Sequence, residues 1–271
     1  METEKNETNL TNENYFSKAN KKKYMSTSLF KDFLKCEVYA LAKVNGEIDD
    51  KKTDALLFGG YVDAYFSGEL EEFVKENPEM FSKNGTLLAK YKAIDDVIKT
   101  IEDDEMLMKY LNGKKQVVMT GEIEGVPWKI KMDAYHPGKL IVDQKIIKDM
   151  DKVWVEHDGY NVKTDFIEAY RYDLQGASYQ EIERQNSGGE KLPFVLAVTT
   201  KEECPDKELI RIDQEYLDKA LDEIKAKAPR YWKILQGEEE PIGCGHCPAC
   251  RAKKKLTGVK SYKRLYKEEE E

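Results

Sequence analysis

Apolar side chains recur at helical spacing in the first part of the chain, after a polar N-terminal stretch. Leu29, Phe33, Cys36 and Ala40 would share one face of a helix, because residues three or four apart lie on the same side. The serines and threonine just before them are favourable helix N-caps. The run 25–43 therefore predicts one helix packed on the core, with the Cys36 thiol pointing inward.

The same spacing predicts several further helices along the chain. Gly59 and Gly60 lie inside the next of these helices and suggest that another backbone approaches it closely. The predicted helical ranges are 54–66, 69–77, 87–111 with a break near Asp103 and Asp104, 165–186 and 214–235.

Strand-like segments occupy the middle of the chain, separated by turns at Glu124-Gly125 and at His136-Pro137-Gly138. The segment 193–200 is apolar throughout, which is typical of a strand buried on both faces. The stretch 146–165 is irregular and predicts a loop or a short helix. The whole pattern predicts an α/β (α+β) fold, a central mixed sheet flanked by helices, with strands over 116–123, 126–135, 139–144, 193–200 and 208–212.

Composition narrows the class of protein. The chain has 271 residues, 35% of them charged, and a formal net charge of −8, which argues against a protein that coats nucleic acid without specificity. It contains no apolar run of the roughly 18–20 residues that a membrane span requires and no signal-peptide core, so we expect a cytoplasmic protein. We expect a polar tail over 1–25, one domain over 26–251, and a basic then acidic tail over 252–271.

Two acids and a lysine converge around the turn at His136. Asp133 lies near the end of one predicted strand, and Asp143 and Lys145 lie at the end of the next. Residues two apart in a strand project to the same side. Carboxylates are the ligands that Mg²⁺ prefers, and a lysine can orient a water or offset phosphate charge. A solvated hairpin is the alternative, but the apolar run 140–142 favours a site.

The pattern Asp133 followed by Asp143-x-Lys145 resembles the P-D…(D/E)-x-K signature of the restriction-endonuclease-like nucleases. The segment KIKMDAYHPGKLIVDQK is similar above all to the phage and prophage exonucleases related to RecE (exodeoxyribonuclease VIII) and to lambda exonuclease. The resemblance implies a restriction-endonuclease-like core and a Mg²⁺- or Mn²⁺-dependent exonuclease that resects double-stranded DNA in phage-type recombination. A single-strand annealing protein as partner and a homo-oligomeric ring are further implications.

The resemblance also assigns roles to individual residues. Asp133 and Asp143 would bind the metal, and Lys145 would position the attacking water. Gln175 and Tyr179 are four residues apart on a predicted helix, so they would share one face. RecB-like nucleases have such a Q-x-x-x-Y pair beside the metal site, where it contacts the DNA.

A third acidic ligand stays open. Relatives place another acid on the strand 116–123, where Glu122 is the acid most nearly opposite the middle of the next strand and Gln116 occupies a similar place. Relatives often have a histidine near Asp63. That acid is therefore either a neighbour of the metal site or an ordinary surface acid.

Three of the five cysteines form a C-x-x-C-x-x-C run, which indicates a metal site in a cytosolic chain. The run is Cys244, Cys247 and Cys250, and Cys36 is the preferred fourth ligand, with His246 or Cys204 as alternatives. The plan of one N-terminal and three C-terminal cysteines resembles RecB-like nucleases that hold a [4Fe–4S] cluster. The last interval is shorter here than in those families, so a structural Zn²⁺ or an empty reduced site stays an alternative to iron–sulfur.

Other chemistries lack their motifs. The chain contains no Walker or G-x-G-x-x-G loop, and its three histidines are scattered in turns. Two alternatives to the exonuclease remain: a RecB-like repair or CRISPR-adaptation-type nuclease, and a DNA-binding or assembly module of the same fold that has lost catalysis.

Overall fold

A computed structural model describes residues 10–48, 52–157, 160–259 and 261–262. Single 3₁₀ turns occur at Pro78–Met80 and Ala89–Tyr91. The strands are β1 (Lys114–Ile123), β2 (Val126–His136), β3 (Leu140–Ile147), β4 (Val153–His157), β5 (Tyr160–Thr164), β6 (Phe194–Thr200) and β7 (Lys207–Arg211). The helices are α1 (Lys18–Lys23), α2 (Thr27–Lys35), α3 (Glu37–Asn45), α4 (Asp54–Ser67), α5 (Leu70–Glu76), α6 (Ala93–Glu102), α7 (Glu105–Leu111), α8 (Phe166–Ala169), α9 (Tyr172–Ser187), α10 (Gln214–Gln236) and α11 (Pro248–Lys253).

The central sheet has the strand order β1-β2-β3-β6-β7. β3 and β6 run parallel, whereas the other neighbours in this sheet are antiparallel. This confirms the predicted mixed sheet, with helices on both faces, and β7 is the edge strand that the sequence predicted. β3 extends to Ile147, so Asp143 and Lys145 lie inside the strand and not at its end.

Two apolar clusters cover the two faces of the sheet. The first joins the sheet to α2, α9 and α10 and includes Phe30, Trp128 and Tyr231. The second joins the sheet to α4, α6 and α7 and includes Ile94 and Val142. β6 is buried along its whole length, as expected for a strand with a helical layer on each side.

The helix predicted over 25–43 is two helices that meet at Cys36. The backbone of Cys36 is extended (φ −170°, ψ 119°), so α2 ends and α3 begins around this residue. Its thiol is buried, as predicted. Helical spacing of the apolar residues continues across the bend, which is why the pattern indicated a single helix.

Two more predictions between β3 and β6 were wrong. The helix predicted over 165–186 is broken at Arg171, which has a left-handed backbone (φ 52°) and whose guanidinium binds Asp173 (3.0 Å) and Glu223 (2.6 Å). The predicted loop or short helix contains the β4–β5 hairpin. Its signal was a period of two, since Trp154 is exposed while its neighbour Val153 packs on the core. The predicted turn at His157 includes positions 158 and 159, outside the described residues.

The segment 10–25, which belongs to the predicted polar tail, packs against the core. Tyr15 and Asn20 are buried, and Met25 is fully buried. The amide of Met25 donates to the carbonyl of Pro127 (2.8 Å), and its own carbonyl accepts from the amide of Lys129 (2.9 Å). A few buried side chains and the two backbone hydrogen bonds to β2 therefore fix this segment, although its composition is mostly polar. The predicted C-terminal tail lies largely outside the described residues.

The close approach predicted at the glycine pair involves a side chain. A Cβ on Gly60 would lie 2.7 Å from the ring of Phe73, whereas a Cβ on Gly59 would meet no atom within 4 Å. The neighbour is therefore an aromatic ring of α5 and not another backbone. Across the described residues, no helix combines the length and the apolar character that a membrane crossing requires.

Candidate active site and cysteine cluster

The candidate site lies where β2 and β3 part. The ladder between these strands covers three pairs and ends with Ala134 opposite Val142. The next residue on each strand is Asp133 and Asp143, respectively, so both carboxylates stand at the opening. The amide of Gln144 donates to Asp133 Oδ2 (2.9 Å) in place of a ladder hydrogen bond. The divergence of two paired strands thus brings the two predicted acids together.

Asp143 is held on both sides by polar groups. It is 1% exposed and forms an ion pair with Lys145, two residues further along the same strand face. Gln175 Nε2 donates to Asp143 Oδ1 (2.6 Å). The ammonium of Lys145 also lies 5.1 Å from the ring centre of Tyr172. Burial alone would lower the pKa of Lys145, but the carboxylates of Asp143 and Asp133 raise it, so Lys145 stays a cation.

Asp63 and Gln116 complete the group. Gln116 Nε2 donates to Asp63 Oδ1 (3.2 Å), and the backbone of Gln116 is left-handed (φ 49°). The register of β1 against β2 puts Gln116 level with Asp133. Burial, followed by the charge of Asp143, raises the pKa of Asp63, while Lys131 and Lys145 oppose that rise. Of the two interpretations of Asp63, its position is that of a neighbour of the site.

The three carboxylates repel one another in the absence of a cation. Burial first, and then the charges of Asp143 and Asp63, raise the pKa of Asp133 well above its ordinary value. Gln116 Oε1 is buried and has no hydrogen-bond partner among the described residues. Carboxylate and amide oxygens of this kind are the ligands that Mg²⁺ and Mn²⁺ take. The types of donor therefore suit a hard divalent cation, although among the described residues only the four cysteines bring their ligand atoms within 4.8 Å of one another.

Tyr179 has a different environment from the one predicted. Its hydroxyl donates to the carbonyl of Lys131 (2.8 Å), and its ring packs edge-on against Phe194 inside the core. Gln175 is half-buried against Asp143. The two side chains share a helix face and form a hydrogen bond with each other, but Tyr179 is buried. Tyr179 anchors β2, and Gln175 orients a carboxylate.

The structure does not bring Glu122 into the site. Glu122 is exposed and pairs with Pro127 next to the hairpin turn, not with the middle of β2. It is six residues from Gln116, roughly 20 Å along an extended strand. Counting the register outward from the turn at Glu124-Gly125 would have found this. No sequence pattern indicated that Tyr172 or Lys131 would lie near the site.

The four cysteines that the sequence grouped lie together. The sulfur atoms of Cys36, Cys244, Cys247 and Cys250 all lie within 4.8 Å of one another. Cys36 Sγ is 3.6 Å from Cys250 Sγ and 3.7 Å from Cys247 Sγ. Cys204 is exposed and lies outside this cluster.

Backbone amides surround the sulfurs. The amide of Cys244 points at Cys36 Sγ (3.4 Å), and that of Cys250 points at Cys247 Sγ (3.4 Å). Burial alone would raise the pKa of Cys244, but N–H groups of His246 and Cys247 lower it to about 6. His246 therefore contributes its backbone to the cluster. A Cβ on Gly243 would lie 2.8 Å from Cys250 Sγ, so only glycine fits that position closely.

Comparisons with known proteins agree with this geometry. A family model described as a PDDEXK-like domain of unknown function (DUF3799) matches residues 26–253. No curated protein matches the chain. A crystal structure named "Putative exonuclease", from Eubacterium rectale, is similar at 45% sequence identity with a TM-score of 0.88, over 96% of this chain and 98% of that one.

Proposed function

The chain belongs to the PDDEXK-like family, and from that premise we propose that it is a Mg²⁺- or Mn²⁺-dependent deoxyribonuclease. The family match and the likeness to an exonuclease support a nuclease. The single observation that carries the metal dependence is the group of Asp63, Asp133 and Asp143 beside the ion-paired Lys145. Such a group is destabilising by itself and is suited to a bound cation.

Each residue of the candidate active site has a proposed role. Asp133 and Asp143 would hold the cation, with Asp63 and Gln116 Oε1 as further candidate ligands. When bound, the cation would stabilise charge on the phosphate and lower the pKa of a water. Lys145, which its two acidic neighbours keep protonated, would orient that water by donating a hydrogen bond.

Gln175 and Tyr179 would act indirectly, by positioning other groups of the site. Gln175 holds one oxygen of Asp143, which leaves the carboxylate in a defined orientation for the metal. Tyr179 fixes the backbone of β2 through Lys131. A direct contact of Gln175 with DNA remains part of the proposal, because its side chain is half-buried and borders the site.

Within the nucleases we favour an exonuclease that resects linear double-stranded DNA. Two observations support this choice: the resemblance of residues 129–145 to RecE-like and lambda-type exonucleases, and the name of the similar Eubacterium rectale protein. Phage-type recombination, an annealing protein as partner, a ring of subunits and a cytoplasmic location rest on the resemblance and on composition. A RecB-like repair or adaptation-type nuclease is the second candidate.

End-labelled linear duplex tests the proposal. We expect the purified protein to release label with Mn²⁺ and not with a chelator, and to leave covalently closed circular DNA intact. Cleavage of the closed circle would favour the endonuclease alternative.

Asp143→Ala and Glu122→Gln are the matched variants for this assay. We expect the first to lose activity, because it removes a metal ligand, and the second to keep it, because Glu122 is roughly 20 Å from the site. If wild type and Asp143→Ala both left linear duplex whole, the chain would be the inactive binding module.

For the cysteine cluster we propose a structural Zn²⁺. A tetrahedral Zn²⁺ with bonds of about 2.3 Å separates its sulfur ligands by roughly 3.8 Å, close to the separations observed. The four thiolates of a [4Fe–4S] cluster bind four different irons and stand farther apart, so the earlier preference for iron–sulfur loses support. Metal analysis of anaerobically purified protein should find one zinc per chain and no visible absorption band. A brown protein with four irons would reverse this assignment.

A further inference from the structure

Lys31 is a second amine beside the candidate active site, and its helix holds it there. α2 buries Leu29, Phe30 and Phe33. The hydroxyl of Thr27 shares a hydrogen bond of 2.6 Å with that of Ser178 on α9, the helix that carries Gln175. The position of Lys31 relative to the site is therefore set by packing and not by the loops around it.

Lys31 and Lys145 lie against the same aromatic ring. The ammonium of Lys31 is 5.4 Å from the ring centre of Tyr172, and that of Lys145 is 5.1 Å from it. Such distances allow cation–π attraction. The Lys31 ammonium also donates to the carbonyl of Tyr170 (2.8 Å). Tyr172 thus has two lysine ammonium groups near its ring.

The two amines differ in their counter-ions. Lys145 has Asp143, whereas no carboxylate lies within ion-pair distance of Lys31 in the described parts of the chain. Lys31 is half-buried. Burial, and then the charge of Lys145, lower its pKa to about 7, with only partial opposition from Asp143 and Asp173. A half-buried cation without a counter-ion is unfavourable unless an anion binds there.

We propose that Lys31 binds a phosphodiester oxygen of the DNA strand held in the site, beside the Tyr172 ring that Lys145 also approaches. The inference rests on the proposed nuclease function, since it names a substrate contact of the same site. Its chemistry is that of a point charge with unused hydrogen-bond donors, which suits a phosphate oxygen. It would offset the repulsion between DNA and the acids of the site.

Binding of a fluorescent linear duplex in chelator, measured by anisotropy, tests Lys31 without any cleavage. We expect Lys31→Met to weaken binding about tenfold and to reduce the slope of log affinity against log salt by about one. Lys31→Arg should restore most of both. Lys35→Met is the matched control, because Lys35 is an exposed lysine of the same helix, and it should change neither quantity as much.

The outcomes separate this inference from the proposed function. If wild type binds but does not cut with Mn²⁺, and Lys31→Met binds about tenfold more weakly, the contact stands and the nuclease fails. If wild type cuts and Lys31→Met matches it in affinity and salt slope, the contact is wrong. Absence of any DNA binding by wild type overturns both.

Thermal unfolding tests whether the role of Lys31 is purely structural. We expect Lys31→Met to unfold at the same temperature as wild type or higher, because it removes a cation without a counter-ion. A clear fall in Tm with an unchanged salt slope would assign Lys31 to the hydrogen bond with Tyr170 and overturn the proposal.

Discussion

The candidate active site and the cysteine cluster both gather like side chains, but the fold assembles them differently. Asp133, Asp143 and Lys145 come from two adjacent strands joined by a tight turn. Cys36 and Cys250 are 214 residues apart in sequence and meet only because α3 packs against α11. The first group therefore depends on one local hairpin, and the second depends on the whole fold.

The groups also differ in what a bound metal would do for the folded state. The acids repel one another, and the raised pKa values of Asp63 and Asp133 mean that the metal-free site works against folding. Backbone N–H groups lower the pKa of Cys244 to about 6, but burial and the neighbouring thiols raise that of Cys247 to about 12, so the metal-free cluster does not favour four thiolates. We infer that the acidic site is kept for chemistry at some expense of stability, while the cysteine cluster contributes stability once a structural metal is bound.

Asp133→Asn has the largest expected effect, and it tests whether the acidic site opposes folding. We expect cleavage to fall by on the order of 10³-fold, because a metal ligand loses its charge. The Tm of metal-free protein should rise by about 3 °C, because an amide does not repel Asp63 and Asp143 and can still accept from Gln144. Nuclease rates and scanning calorimetry check both parts. A lower Tm would contradict the idea that this site opposes folding.

Cys36→Ser tests whether the cysteine cluster contributes to stability. It should lower the Tm by about 10 °C, as expected for loss of a structural metal, and the remaining folded protein should still cut DNA. Cys204→Ser is the control, since Cys204 is exposed and outside the cluster, and should shift the Tm by less than about 2 °C. Equal effects of the two variants would show that the cluster holds nothing that matters to stability.

A dependence on pH follows from the raised pKa values of Asp63 and Asp133. The folded protein keeps these protons to higher pH than the unfolded chain, so metal-free stability falls as pH rises through the folded pKa values. Mn²⁺ competes with the same protons. The Tm increase caused by saturating Mn²⁺ should thus be larger at pH 8 than at pH 6, and an increase that is independent of pH would count against these acids as ligands.

Gln116→Glu has the smallest expected effect, and it tests whether residue 116 is a metal ligand. The new carboxylate would lie about 3 Å from Asp63. We expect the Mn²⁺ concentration for half-maximal cleavage to fall a few-fold, about 1 kcal/mol in metal affinity, and metal-free Tm to fall slightly. Unchanged metal dependence would remove Gln116 from the ligand set.

The predictable parts of the fold are those with strong local patterns. The apolar run of β6 and the alternating β1–β2 hairpin came out close to their predicted bounds. The failures are at single residues where a contact far away in sequence bends the chain: Cys36, bent toward the C-terminal cysteines, and Arg171, held left-handed with its guanidinium on Asp173 and Glu223. A periodicity averaged over several turns does not detect one such residue.

The candidate site divides in the same way. The D…D-x-K spacing identified Asp133, Asp143 and Lys145, because adjacent strands and a period of two already place them together. Gln116 and Asp63 were left open, and Glu122 was misplaced, because their positions depend on the register of β1 and on how α4 packs on the sheet. Lys31 had no sequence signal at all.

The α/β class, the carboxylate–lysine hairpin and the grouping of the cysteines could be predicted from the sequence alone, since each follows from local spacing and from the chemistry of a residue type. Three features depend on the tertiary structure: Asp63 and not Glu122 joins the acids, Tyr179 anchors a strand, and Lys31 and Lys145 both approach Tyr172. These depend on packing between elements distant in the chain. Packing of that kind is set by the sum of many weak contacts, which no single motif records.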